Sequence, residues 1–205
     1  MVEESTPVTT SPRGRRPGSP DTRAAILHAA RDLFAERGFG GTSVRAVASA
    51  AGVDPALVHH YFGRKDDLFM AALEVPVDPR ELLADVVAQG PDGAGERLLR
   101  TFLSVWDDEE LRPRMLAFVR TVLEPTGREL FRHGFLDVVI LPMARTLGID
   151  RPETRMPLVA SQVFGLIVMR YVLEVEPLAS MDRDLVVSTY APTLQRYLTG
   201  ELPRC

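Results

Sequence analysis

Apolar positions recur at helical spacing along almost the whole chain, and glycine and proline interrupt them at short intervals. Ile26, Ala29, Ala30, Leu33 and Phe34 fall at i, i+3, i+4, i+7 and i+8, the stripe of one helix face. Asp21 stands before the stripe as an N-cap, and Gly38 and Gly40 stop it. Thr42 or Ser43 can cap a short second helix that carries Val44, Val47 and Ala48 inward, and Gly52 breaks it. Asp54 caps a third helix with Pro55 at its first position, where a missing N–H costs nothing. That helix runs to about Phe62, Gly63 ends it, and a fourth spans Lys65 to about Glu74 before Pro76.

The rest of the pattern is also helical. It predicts helices over 79–89, 94–106, 112–123, 127–147, 155–174 and 182–198, separated by GPDG at 90–93, an acidic run with Pro113, Glu124-Pro125, the stretch from Gly148 to Pro152, and Glu176-Pro177. No alternating strand pattern and no internal repeat is present, so the fold class is all-α. Residues 1–20 are rich in Pro, Ser, Thr and Gly. They lack the apolar surface to offset their ordering entropy, and they are expected to be disordered. Three segments result: a tail over 1–20, a short-helix domain over 21–75 and a larger helical domain over 76–205.

Two helical segments of about eight residues joined through Gly52 make a helix-turn-helix pair, whose second helix enters a DNA major groove. The pair alone is common in helical proteins. The third helix reads VDPALVHHYFGRK from Val53 to Lys65. Stepped at about 100° per residue from Pro55, Val58 and Phe62 fall near 300° and 340°. With Val53 they can pack inward. His59, Ala56, His60, Leu57 and Tyr61 occupy an arc from about 40° to 240°. A helix facing only solvent would carry Glu, Lys or Arg there. This arc suits a surface that another molecule covers. A plain surface helix with chance histidines is the simpler alternative.

Charge sharpens the picture. The chain is net −4, yet up to Lys65 nine Arg and Lys face six Asp and Glu, and beyond it fifteen face twenty-two. A basic front on an acidic body points to an anionic partner for the front alone. Metal binding is disfavoured, because ligands on one helix need i, i+3 or i+4 spacing and His59 and His60 are neighbours; His28 and His133 are isolated. No nucleophile motif or phosphate-binding glycine loop is present, so neither an enzyme nor a cofactor is expected. The single cysteine, Cys205, allows no disulfide within the chain and fits a reducing compartment. The first 20 residues hold no apolar signal core, and the longest uncharged run, Met156 to Met169, is too short for a membrane span. A cytoplasmic protein without membrane contact is expected.

Residues 21–75 resemble the N-terminal DNA-binding domain of TetR-family transcriptional regulators. The matching features are a first helix ending ARDLFAERGF, then GTSVRAVASAAGV, a third helix ending HHYF, and a lysine opening the next helix ahead of Leu68-Phe69. The stretches MRYVLEVEPLAS and APTLQRYLTG resemble a C-terminal variety found among actinobacterial members. The resemblance implies DNA contacts from Thr42, Ser43, Arg45, Pro55, Ala56, Leu57, His59, His60, Tyr61 and Lys65. Thr42 and Ser43 would sit at a helix N-terminus that receives a phosphate. Arg45 would reach a base edge or phosphate, and Leu57 a thymine methyl. His59 and His60 stand where tyrosine is usual, Tyr61 would meet the backbone, and Lys65 a phosphate. Arg13, Arg15 and Arg16 either lie in the minor groove or remain solvated.

For residues 76–205 the resemblance implies a ligand-binding and dimerisation domain. Helices 155–174 and 182–198 would form a four-helix interface in a homodimer; the alternative is that 155–174 is a central core helix of a monomer. Phe102, Trp106, Met115, Phe118, Phe131, Phe135, Met143 and Phe164 supply aromatic and thioether surface, most of it core, with three or four lining a cavity for a small hydrophobic effector. Phe102, Trp106, Phe118, Phe135, Phe164 and Arg170 are the chosen ligand-binding candidates, and His133 is a further ionisable one. The implied function is a repressor released from a palindromic double-stranded operator when effector binds, with the Pro76–Pro79 region as the mechanical joint. A helical dimeric DNA-binding protein without an effector is the alternative.

Overall fold

The computed structural model describes residues 20–203. The expectations on the N-terminal tail with its arginines and on Cys205 lie outside the described residues. The architecture is all-helical: α1 (Pro20–Gly41), α2 (Val44–Ala50), α3 (Pro55–Phe62), α4 (Lys65–Leu73), α5 (Pro79–Leu82), α6 (Ala84–Ala88), α7 (Ala94–Trp106), α8 (Arg112–Leu123), α9 (Pro125–Leu130), α10 (Leu141–Thr146), α11 (Pro152–Ile167) and α12 (Arg183–Thr199). Two π-helical segments, Phe131–Ile140 and Val168–Val172, extend α9 and α11. The helix expected over 127–147 is therefore α9, a ten-residue π-helical stretch and α10 in succession. Helix 79–89 is two short pieces, α5 and α6. Pro20 already belongs to α1, so Asp21 lies in its first turn instead of capping it.

The small front domain forms because each short helix has a stop and a cap. Gly38 adopts φ 68° and ends the regular part of α1. Of the two candidate caps for α2 the structure uses Ser43, whose Oγ accepts from Ala46 N–H at 3.1 Å. Asp54 caps α3 by accepting from Ala56 N–H at 2.7 Å, with Pro55 at the helix start. Ile26, Ala30, Phe34, Val47, Ala48, Val58, Leu68 and Phe69 meet in a core that excludes water. Leu130 of α9 and Val139 of the following π-helical segment belong to the same core. The rear helices thus complete the front core.

The larger core gathers α6–α8 and α10–α12 around Leu99, Leu103, Trp106, Val159, Val186, Val187 and Leu194. Gly95 lets α7 cross α12 closely: a Cβ there would lie 2.8 Å from Gln195 N and 2.9 Å from Ala191 O. Gln195 ties the crossing, accepting from Gly95 N–H at 3.0 Å and donating to Pro91 O at 3.0 Å. Arg155, only 3% exposed, donates to Tyr197 O and Gly200 O at 2.8 and 2.9 Å and pairs with Asp150, joining α11 to the last turn of α12. The outer surface of this end carries exposed apolar side chains, among them Phe164, Val172, Leu173 and Leu185. Among the described residues no helix is long and apolar enough to cross a membrane.

Candidate functional site

α2 and α3 pack through a turn in which Gly52 takes φ 66°, a conformation glycine adopts without the strain of a Cβ. Val53 N–H donates to Ala48 O at 2.9 Å and closes the turn. Val58 and Phe62 are buried at 1% and 8%, so α3 faces the core with the residues its periodicity selects. The opposite face presents Ala56, His59 and His60 to solvent, with Pro55 and Leu57 half-buried beside them.

His59 has a defined orientation. Its Nδ1 lies 2.9 Å from Gly63 O. A carbonyl only accepts, so Nδ1 carries the proton, and in the neutral ring Nε2 is left as an acceptor. That atom can take a hydrogen bond from the exocyclic amine of adenine or cytosine in the major groove. The His60 ring rests edge-on against Tyr61, centroids 5.5 Å apart.

Two expected contacts are corrected by the geometry. Thr42 is 2% exposed, and its hydroxyl sits 2.9 Å from both Leu33 O and Gly38 O. It fastens the end of α1 to the start of α2 and is out of reach of a phosphate. Tyr61 lies at the edge of the outward arc and leans its ring into the front core. Its hydroxyl is buried, with no hydrogen-bond partner among the described residues, and cannot meet a DNA backbone from there. Ser43 remains exposed; its lone pair serves Ala46, while its O–H proton is free to donate. Its helix α2 has only seven residues.

Cations flank the exposed face. Arg45 on α2 is exposed and forms no ion pair among the described residues. Lys65 opens α4 with its Nζ 4.1 Å from the centroid of Phe39. Burial pushes the ammonium below its ordinary pKa, and the neighbouring Asp66 carboxylate pulls the other way. Arg64, exposed between the ends of α3 and α4, was not singled out from the sequence. Its place next to Lys65, just past the C-terminal end of α3, was the available signal.

The second site is a cavity of about 190 Å3 in the larger domain, lined by aliphatic, aromatic and methionine side chains; the one polar group they carry, the Trp106 indole N–H, is buried without a hydrogen-bond partner among the described residues. All eight aromatic and methionine candidates line it: Phe102, Trp106, Met115, Phe118, Phe131, Phe135, Met143 and Phe164. Aliphatic residues of α11 and α6, such as Val159, Val163 and Val86, complete the wall and were not named from sequence. A cavity of about 150 Å3 with such a lining holds benzene, so the space suits a compact hydrocarbon-like molecule.

Arg170 is not in the wall. It donates to Leu178 O at 2.5 Å and lies over the Tyr171 ring at 5.4 Å, where it ties down the segment leading to α12. The side chain of His133 lies outside those described. Below Trp106, Tyr171 stacks on the indole at 5.2 Å and donates to Asp107 at 2.7 Å; burial, then the Asp107 carboxylate, push its pKa up to about 12. Among the described residues no group of three or more His, Cys, Asp or Glu gathers to hold a metal.

Front and rear meet at the expected joint and over a larger packed surface. At the expected joint Arg80 bridges Asp67 of α4 at 2.9 Å and Asp78 at 2.6 Å, and the Arg80 guanidinium holds the Asp78 carboxyl below its usual range. More extensively, α1 and α4 pack on α9 and the π-helical segment 131–140. Phe135, Ile140 and Met143 both line the cavity and pack against the front core.

The chain is similar to known proteins over both regions. The family described as bacterial regulatory proteins, tetR family, matches residues 26–72. The family described as tetracyclin repressor-like, C-terminal domain, matches residues 92–198. The HTH-type transcriptional repressor Rv3405c of Mycobacterium tuberculosis is 37% identical over 103 residues, 47% of this chain and 55% of that protein. The chain therefore spans about half the length of this relative. HTH-type regulator UidR of Escherichia coli is 36% identical over 52 residues, 25% of this chain and 26% of its own. Among solved structures, the TetR-family regulator SCO0857 from Streptomyces coelicolor is 42% identical over 90% of this chain and 98% of that chain, with a TM-score of 0.45.

Proposed function

The chain belongs to the TetR family of bacterial regulatory proteins, and from that premise we propose that it is a homodimeric, cytoplasmic repressor released from a palindromic operator by a small uncharged apolar molecule. The observation that carries the proposal is the pairing of an exposed face on α3, which carries no Asp, Glu, Lys or Arg, with a predominantly apolar cavity that shares side chains with the front core. Ala56, Leu57, His59 and His60 would read base edges, and Arg45, Arg64 and Lys65 would meet phosphates, which set position and affinity without reading sequence.

Dimerisation would bury the exposed apolar side chains of α11 and α12, including Phe164 and Leu185. Two copies then present two α3 helices to half-sites one helical turn, about 34–36 Å, or a multiple apart. The repressor sign is supported by the name of the mycobacterial relative. The effector class follows from the wall: its lining side chains hold one polar group, the Trp106 indole N–H, which is buried without a partner among the described residues, so an ionic group placed there would lose its hydration largely without compensation, at roughly 2 kcal/mol or more.

Selection of duplexes from a random pool tests the DNA half. A palindromic consensus bound far more tightly than scrambled duplex is expected; binding without sequence preference would refute it. Trp106 tests the cavity half, because it is the only tryptophan and lines the wall. Bromobenzene, an uncharged quencher, should enter and quench it, and benzyltrimethylammonium should compete poorly. Equal competition by the cation would refute the assigned effector class.

A further inference from the structure

A row of aromatic contacts connects the cavity to Lys65. Phe131 and Phe135, one turn apart, stack with centroids 4.8 Å apart and planes 16° from parallel, and both line the cavity. Gly134 lies in the same π-helical turn, on its other side, against the ring of Phe69. A Cβ at Gly134 would fall far inside the 3.0 Å that real contacts respect, onto Phe69 Cζ and Cε2. Phe69 of α4 is 1% exposed and meets Phe39 edge-on at 5.4 Å. The Phe39 ring in turn carries the Lys65 ammonium at 4.1 Å. π-helical turns are rare and collect at functional sites, and here one turn shows one side to the cavity and the other to the front core.

We propose that Gly134 and Phe69 are positioning residues that transmit cavity occupancy to Lys65. The proposal rests on the reading of this chain as an effector-controlled DNA binder. An occupant that moves the Phe131–Phe135 stack moves Gly134. Phe69 has no slack, because the missing side chain of Gly134 is what makes room for its ring. Displacing Phe69 tilts Phe39, and the cation resting on Phe39 leaves the place from which it reaches a phosphate. The occupant acts through its different affinity for the two arrangements of the stack.

The test is a double-mutant cycle in the full-length protein on its selected operator, with affinity measured across salt concentrations. Gly134→Ala should weaken binding on the order of tenfold without any effector. It should also lower the salt slope by roughly one unit, the signature of one lost phosphate contact. Lys65→Ala should do the same, and adding Gly134→Ala to it should change nothing further, since residues acting as one unit are not additive. A merely destabilised Gly134→Ala protein would show a smaller active fraction at an unchanged slope. Additive losses, or an unchanged slope in Gly134→Ala, would overturn the proposal while leaving operator binding by the unmodified protein intact. If Gly134→Ala does not fold, Phe39→Leu takes its place in the cycle; it should lower the slope likewise, and a full slope would overturn the proposal. Absence of specific operator binding by the unmodified protein would instead defeat the underlying reading.

Discussion

Thr42→Val separates a structural threonine from a DNA-contacting one. The two side chains have the same shape, so the substitution opens no cavity and removes only the hydroxyl. That hydroxyl has one proton and two carbonyls at 2.9 Å, Leu33 O and Gly38 O. Both belong to α1, and the chain turns at Gly38. Leu33 lies inside α1, so its carbonyl is also placed for an intrahelical bond, and the loss leaves it under-satisfied, not orphaned. The expected cost is therefore toward the lower end of the range for a buried hydrogen bond, about 1–2 kcal/mol. For a chain of this size that lowers the melting temperature by about 2–8 °C. Thermal unfolding followed by circular dichroism reads the loss, and operator affinity well below the melt should equal that of the unmodified protein. An unchanged melting temperature with weaker DNA binding would refute the inward role and restore Thr42 to the phosphate contacts.

Other outcomes follow from the same geometry. His60→Ala should weaken the selected operator more than a scrambled duplex, because it removes a group on the base-reading face; equal weakening of both in an anisotropy titration would assign it to the backbone. Leu185→Glu places a charge on the exposed apolar face of α12 and should shift sedimentation toward monomer and abolish binding to a palindrome, while a persistent dimer would move the interface elsewhere. The raised pKa of Tyr171 has a defined sign: between the ordinary tyrosine value, about 10, and about 12, the unfolded state loses the proton first, so stability falls as pH rises through that window. Tyr171→Phe should remove this alkaline decline in denaturant melts, and a decline of unchanged size would place its origin in another group.

Much of the fold was legible because the chain is punctuated. Ser43, Asp54, Pro55, Gly52 and Gly63 mark helix ends by mechanisms that need only local chemistry, and the periodicity of Val58 and Phe62 selects the buried side of α3. The aromatic and methionine residues of the larger domain read as apolar surface, but whether each lines a cavity or fills a core depends on tertiary spacing; the cavity took all eight. Thr42 and Tyr61 could not be sorted in advance. A hydroxyl beside Gly38–Gly41 can cap a helix or turn inward, and Tyr61 sits at the edge of its arc, where a small rotation decides its side. Arg170 is set by a carbonyl eight residues later, in a segment with no periodic signal. The π-helical stretch 131–140 was hidden because its apolar pattern is also compatible with an ordinary helix. The same applies to Leu130 and Val139, which complete a core formed mostly by residues sixty or more positions earlier.

The most direct measurement follows Trp106 emission and operator-duplex anisotropy in one sample, while uncharged apolar compounds of roughly six to twelve carbons, a size range set by the benzene-sized reference cavity, are titrated in. The account predicts that compounds perturbing Trp106 include some that release the duplex. It also predicts that saturating the protein with duplex weakens those same compounds by the same factor, since coupling between two binding sites is reciprocal. Compounds that fill the cavity without ever altering operator affinity would contradict it, and would leave a DNA-binding dimer that no occupant of this cavity controls.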